Sequence, residues 1–169
     1  MVHYGYENLK RDLSILSGNK AVSIQTAGKS LEGRELYYVT IGNGDYKVFI
    51  NGAHHGMEWI TSAMLIRFCK EYADCAVSGD PFAGYEIEQL IQRSTLYILP
   101  MVNPDGIQKG IEDPKLARIW QANARGVDLN HNYNAGWELA RAAEQKLGIK
   151  EPGPTRYGGE FPESEPETK

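Results

Sequence analysis

Apolar residues recur at Leu9, Leu13 and Leu16 with polar residues between them, a spacing that stacks them on one face of a helix over 6–16 that Gly18 would stop. Two β-branched and aromatic runs follow, over 22–26 and 36–41. The stretch from Gly28 to Gly33 separates them, and they predict antiparallel edge strands. Gly42-Asn43-Gly44-Asp45 predicts a tight turn into a third strand over 46–50. No phosphate-loop lysine follows this Gly-x-Gly, so it is turn chemistry. Met64, Leu65, Phe68, Cys69 and Tyr72 fall at helical spacing and predict a helix over 59–73, with another over 85–92. Residues 94–100 read as a buried strand that closes on a turn at Asn103-Pro104-Asp105-Gly106. The alternation of strands and helices predicts an α/β fold, a mixed central sheet with helices on both faces.

Composition narrows the classes. A chain of 169 residues, 41% hydrophobic, suffices for one core, so 1–169 is read as a single domain. Acidic residues outnumber basic ones, 22 against 18, which offers no field for nucleic acid or an anionic membrane, and neither partner is expected. No apolar run approaches the roughly 20 residues of a membrane span. The first sixteen residues lack the charged-then-apolar layout of a secretory signal, so a cytoplasmic location is expected. Cys69 and Cys75 lie six residues apart in one predicted helix, where about 100° per residue sends them to different faces, and both are expected to be buried, reduced thiols.

The candidate chemistry begins right after the third strand, in Asn51-Gly52-Ala53-His54-His55-Gly56-Met57-Glu58-Trp59. Ligands and catalytic groups of α/β sheets collect at the carboxyl ends of strands. Here a histidine and a glutamate stand three residues apart, half of a site for a zinc ion that takes imidazole nitrogen and carboxylate oxygen. Alone, H-x-x-E recurs by chance. Read blandly, His55 is a satisfied turn histidine and Glu58 a carboxylate favoured by a helix N-terminus. A second segment adds weight: Arg125-Gly126-Val127-Asp128-Leu129-Asn130-His131-Asn132-Tyr133, between Trp120 and Trp137. Asn103-Pro104-Asp105-Gly106 precedes it and Ser164-Glu165-Pro166-Glu167-Thr168 ends the chain. In this order these motifs resemble the zinc carboxypeptidases, the carboxypeptidase A-like metallopeptidases, from about Tyr4 to the last residue.

The resemblance implies a Zn2+ cofactor and makes His55 and Glu58 its first two ligands. Asp128 becomes the carboxylate that accepts the other ring N–H of His55, where the plain alternative is a turn cap. His54, one residue from a ligand, is left a hydrogen-bonding role. In the family an asparagine and an arginine grip the substrate's terminal carboxylate; here these are Asn130 and His131. A histidine of ordinary pKa near 6.5 is only about a quarter protonated at pH 7, so that anchor is weakened. The family's oxyanion-stabilising arginine, after the tryptophan, is here Gln121, an amide without charge, with Arg125 as a candidate replacement.

Both departures point toward a peptidase that does not depend on a free C-terminus. The short Trp-x-Ala-Asn-x-Arg-Gly-Val-Asp-Leu-Asn spacing resembles the branch with bacterial γ-D-glutamyl-diamino acid endopeptidases, so peptides or peptidoglycan stem peptides are the expected substrates. A carboxypeptidase and a non-catalytic binding module are the alternatives. The family's third ligand, a histidine, and its general-base glutamate lie farther downstream than Lys169, and none of His3, His54, His55 and His131 takes the ligand's place. Ser164 to Glu167 announces a helix start with two residues left to build it. A C-terminally incomplete domain is therefore expected, with mobile terminal glutamates at 163, 165 and 167 and no activity by itself. Exposed apolar sheet surface should invite self-association.

Overall fold

The computed structural model describes residues 3–169. Helix α1, Tyr6–Leu16, buries Tyr6, Leu9, Leu13 and Leu16 on the face the periodicity predicts. Strands β1 (Val22–Lys29), β2 (Glu35–Gly42) and β3 (Tyr46–Asn51) follow. Then come α2 (Trp59–Ser78), α3 (Ile87–Arg93), β4 (Ser94–Leu99), α4 (Pro104–Glu112) and α5 (Trp137–Lys146). Two short 3-10 turns, Leu129–His131 and Pro166–Thr168, complete the described elements.

The sheet runs β1-β2-β4-β3. β2 pairs antiparallel with β1 and with β4, whereas β3 pairs parallel with β4, Val48 opposite Leu96 and Ile50 opposite Ile98. The sheet is mixed, as the alternating pattern predicts. β2 differs from expectation, because it is an interior strand with β1 outside it. Its Val39 and Ile41 are fully buried for that reason.

One core fills the sheet face that carries Val39, Ile41, Leu96 and Ile98. Leu9 and Leu13 of α1, Ile66, Cys69 and Ala73 of α2, Ile87 of α3 and Ile107 of α4 pack on it. Burying each such Leu or Ile contributes about 1.5–3 kcal/mol. The opposite face, with Leu36 and Leu99, is covered by Val102 and by Leu129 of a 3-10 turn; the first face carries four of the helices. No helix among the described residues is long and apolar enough to cross a membrane.

Helices α4, α5 and α2 differ from the sequence reading. The expected turn at 103–106 is the start of α4: Asn103 accepts a hydrogen bond from Gly106 N at 2.8 Å and Pro104 occupies the first turn. α5 has no counterpart in the periodicity, since it buries only Glu144. α2 continues past the predicted Ala73 to Ser78 and ends at Gly79, whose φ of 83° favours glycine. Gly44 is required by approach rather than by dihedral, because a Cβ there would lie 1.9 Å from the Arg93 carbonyl carbon. Both cysteines are free, Cys69 buried and Cys75 half-buried.

β3 is exposed. Tyr46, Val48 and Phe49 are 67%, 39% and 62% accessible, and Ile60 and Met64 of α2 are exposed as well. Lys47, the residue that would blunt such an edge, is exposed but lies toward the neighbouring strand, donating to Gly44 O and Thr95 Oγ1.

Candidate metal and substrate site

Because β3 and β4 are parallel neighbours, the loops after them leave the sheet at the same end. The chain stitches them together: Gly52 N donates to Leu99 O, Val102 N to Gly52 O, and Asn103 N to Ala53 O. Asn103 is fully buried and its amide donates to His54 O at 2.9 Å and Ala122 O at 3.0 Å, which ties a third loop to the first two. Gly56 N reaches Gln121 O, and a Cβ on Gly56 would meet Gly106 O at 2.4 Å, so this approach needs glycine. Ala53 is held at φ 55°, a left-handed conformation costing about 1–3 kcal/mol in a non-glycine residue. Its N–H is fixed by Thr61 Oγ1.

That frame presents His55. Its Nδ1 lies 2.9 Å from Glu58 Oε1, and its Nε2 faces Asp128 Oδ1 at 3.4 Å and the Asn130 amide at 3.0 Å. Asp128 is 1% exposed; its Oδ2 accepts from Arg156 N at 2.9 Å, while Oδ1 makes no hydrogen bond of good geometry. Asp128 above all, with Glu58, pushes the His55 pKa up to about 9 against the burial that lowers it. Burial by itself would raise Asp128; the contact with His55 and the Arg156 N–H override it and leave that carboxyl lowered. Burial lowers the pKa of His54, which pairs with the Tyr133 hydroxyl at 3.0 Å.

The donor set fits half of a zinc shell. Nδ1 and Oε1 converge, and the buried, under-satisfied Asp128 Oδ1 stands ready for the Nε2–H of an imidazole that ligates through Nδ1. Ligation would need a neutral ring, so the Nδ1 proton facing Glu58 would have to leave first. Among the described residues no cluster of three or more His, Cys, Asp or Glu side chains is arranged to hold a metal. His3 packs edge-on against Trp59, and His131 is bonded to Glu144.

The other predicted site residues divide. Asn130 sits beside His55, and His131 is next to it on the same 3-10 turn. Gln121 contributes its backbone carbonyl to Gly56, while its side-chain oxygen accepts from the Thr155 hydroxyl. Arg125 donates through Nε to the buried Glu165 at 2.8 Å, in a different pocket from that of His131.

The terminal segment is not the mobile tail expected. Glu165 is 1% and Glu167 8% exposed. Asn132, fully buried, donates to Gly158 O, Phe161 O and Ser164 Oγ and accepts from Glu165 N and Thr168 Oγ1. Glu167 accepts from Leu31 N, near the cluster in which Asp105 takes bonds from Ser30 and Arg34. Sequence reasoning missed Asn103, Asn132 and Glu144. Polar residues near a motif carry no periodic signal of burial.

Residues 16–169 match the family described as zinc carboxypeptidase. The chain belongs to the zinc carboxypeptidase family. It is 31% identical over 157 residues to gamma-D-glutamyl-L-diamino acid endopeptidase 1 of Lysinibacillus sphaericus, an alignment covering 83% of this chain and 39% of that protein. Carboxypeptidase B of Rattus norvegicus is 31% identical over 160 residues, 88% of this chain and 35% of the relative. The fold aligns with the crystal structure of carboxypeptidase A from Helicoverpa armigera at a TM-score of 0.72 and 26% identity, across 98% of this chain and 40% of that one. The chain thus spans well under half the length of these relatives. Zinc is the family's cofactor, in agreement with the donor atoms at His55 and Glu58.

Proposed function

We propose that this chain carries the first two zinc ligands and part of the substrate cleft of a metallopeptidase that hydrolyses amide bonds. Peptides cut internally are the preferred substrates, γ-D-glutamyl-diamino acid bonds of peptidoglycan stem peptides among them. The observation that carries the reading is the convergence of His55 Nδ1 and Glu58 Oε1 at 2.9 Å with Asp128 behind the ring. The endopeptidase of Lysinibacillus sphaericus supports the substrate class, and the absence of a guanidinium at both His131 and Gln121 supports independence from a free C-terminus.

Zinc in such a site acidifies a bound water and polarises the scissile carbonyl. The chain's own residues prepare for this. Asp128 Oδ1, 3.4 Å from His55 Nε2 and otherwise unbonded, would take the Nε2–H of a ring that ligates through Nδ1, and Glu58 would supply an oxygen. Asn130 stands where it can bond a substrate amide. Glu58 is used as a ligand, and Glu165 and Glu167 are tied into buried networks, so no free carboxylate among them serves as general base. By itself the chain has no peptidase activity in this reading.

Calorimetric zinc titration of the chain tests the proposal. Weak one-to-one binding, lost in His55→Ala and in Glu58→Gln, is expected, because two protein ligands leave the ion mostly hydrated. No binding at all overturns the reading, and tight binding overturns the two-ligand account by requiring recruitment of a third.

A further inference from the structure

We propose that Glu144 is a positioning residue that fixes the tautomer of His131, and that the pocket beside Asn130 therefore receives hydrogen-bond donors, amide N–H or ammonium groups, rather than carboxylates. The proposal rests on the reading of this cleft as a peptide site. Glu144 is 3% exposed, on a helix most of whose side chains face solvent. Its Oε1 lies 2.8 Å from His131 Nδ1, and its Oε2 accepts from Gly158 N at 3.2 Å and from the Arg141 guanidinium. Arg141 is itself largely buried and lies over the Tyr157 ring at 4.7 Å, so the negative charge of Glu144 is matched before His131 is considered.

The arrangement is tightly held. Trp137 Nε1 donates to Gly158 O at 2.7 Å and anchors the start of α5. A Cβ on Gly158 would lie 2.7 Å from His131 O and 3.2 Å from Glu144 Oε1, so the close approach of the loop to this pair requires glycine.

A carboxylate only accepts, so the hydrogen bond to Glu144 puts the proton on His131 Nδ1. In the neutral ring Nε2 is then an acceptor. It has no hydrogen-bond partner among the described residues. The side chain is 34% exposed and lines a pocket of about 210 Å³ with Asn130, Tyr133, Trp137 and Ala140. On a side chain that lines the pocket, such an unpartnered lone pair pairs with a donor and repels a terminal carboxylate.

Glu144→Gln separates this from a merely structural role. Arg141 and Gly158 N both donate to Oε2, so the substituted amide keeps its oxygen there and turns its NH2 toward His131 Nδ1. The imidazole must then move its proton to Nε2. Long-range 15N–1H correlation spectra of the labelled chain at pH 8 should show the Nδ1–H tautomer at His131 in the wild type and the Nε2–H tautomer in Glu144→Gln. In parallel, N-acetyl-alanyl-alaninamide and N-acetyl-alanyl-alanine are titrated against the Asn130 and His131 signals. The amide is expected to bind several-fold tighter to the wild type, and the preference to shrink or reverse in the variant. An Nε2–H tautomer in the wild type, which needs no variant to fold, overturns the proposal, as does tighter binding of the free acid. If the tautomer is Nδ1–H and neither peptide perturbs these signals, the peptide-site reading beneath it is what falls.

Discussion

At the residue scale Asp128 decides how His55 can act. Its Oδ1 faces Nε2 at 3.4 Å from a buried position with no other partner, so it is placed to take a ring proton on the side away from Glu58. Removing its charge by Asp128→Asn should weaken zinc binding about 10–100-fold, the usual effect of losing a ligand's partner, measured by calorimetry against the wild type. An unchanged affinity would mean that Asn130 orients the ring instead. His131 leads to a second expectation, in a polypeptide that completes the zinc shell. Peptides with blocked C-termini should be cleaved at least as fast as free ones, whereas a large preference for free C-termini at pH 8 would restore the carboxypeptidase alternative. Cys69 lends itself to a simpler check: burial pushes its thiol up to about 12, so a thiol reagent at pH 8 should label Cys75 and leave Cys69 until the chain unfolds.

At the element scale the segment ending in the 3-10 turn Pro166–Thr168 works as a clasp. Asn132 bonds it to the 3-10 turn that carries Asn130, and Glu167 bonds it to Leu31 beyond β1. Asn132→Ala orphans several buried groups, each worth about 1–3 kcal/mol, and should lower the urea midpoint strongly. Glu167 acts in the opposite sense with pH. Burial first, and Asp105 as well, raise its carboxyl pKa in the folded chain, so ionisation works against folding. That penalty is present in full above the folded pKa and vanishes below the ordinary carboxyl range. Glu167→Gln, which keeps an acceptor for Leu31 N, should therefore raise Tm at pH 7–8 and change it little at pH 4. A Tm lowered equally at both values would show that the carboxylate's hydrogen bonds outweigh its burial.

At the scale of the whole molecule the open edge governs behaviour. β3 offers unpaired backbone along Tyr46, Val48 and Phe49, and its only lysine is engaged with Gly44 and Thr95 on the paired side. We expect concentration-dependent self-association, detected by sedimentation velocity and reduced in Phe49→Lys. A strictly monomeric chain at high concentration would show that this edge is protected in solution.

Sequence by itself determined the local elements and the order of the motifs. Three leucines set α1, β-branched runs set the strands, and H-x-x-E followed by Asp-Leu-Asn singled out His55, Glu58, Asp128 and Asn130, whose side chains lie together in the fold. These features are written in short-range periodicity and spacing, which a linear chain carries. Tertiary structure alone decided that β2 is interior, that the 103–106 turn begins a helix, and that Arg125 is engaged by Glu165. It also decided that Glu144, on a helix with no apolar stripe, is buried against His131. Each of these depends on which distant backbone or charge arrives alongside. A polar residue's partner 13 or 40 positions away leaves no trace in the pattern around it, whereas a leucine's burial repeats every turn.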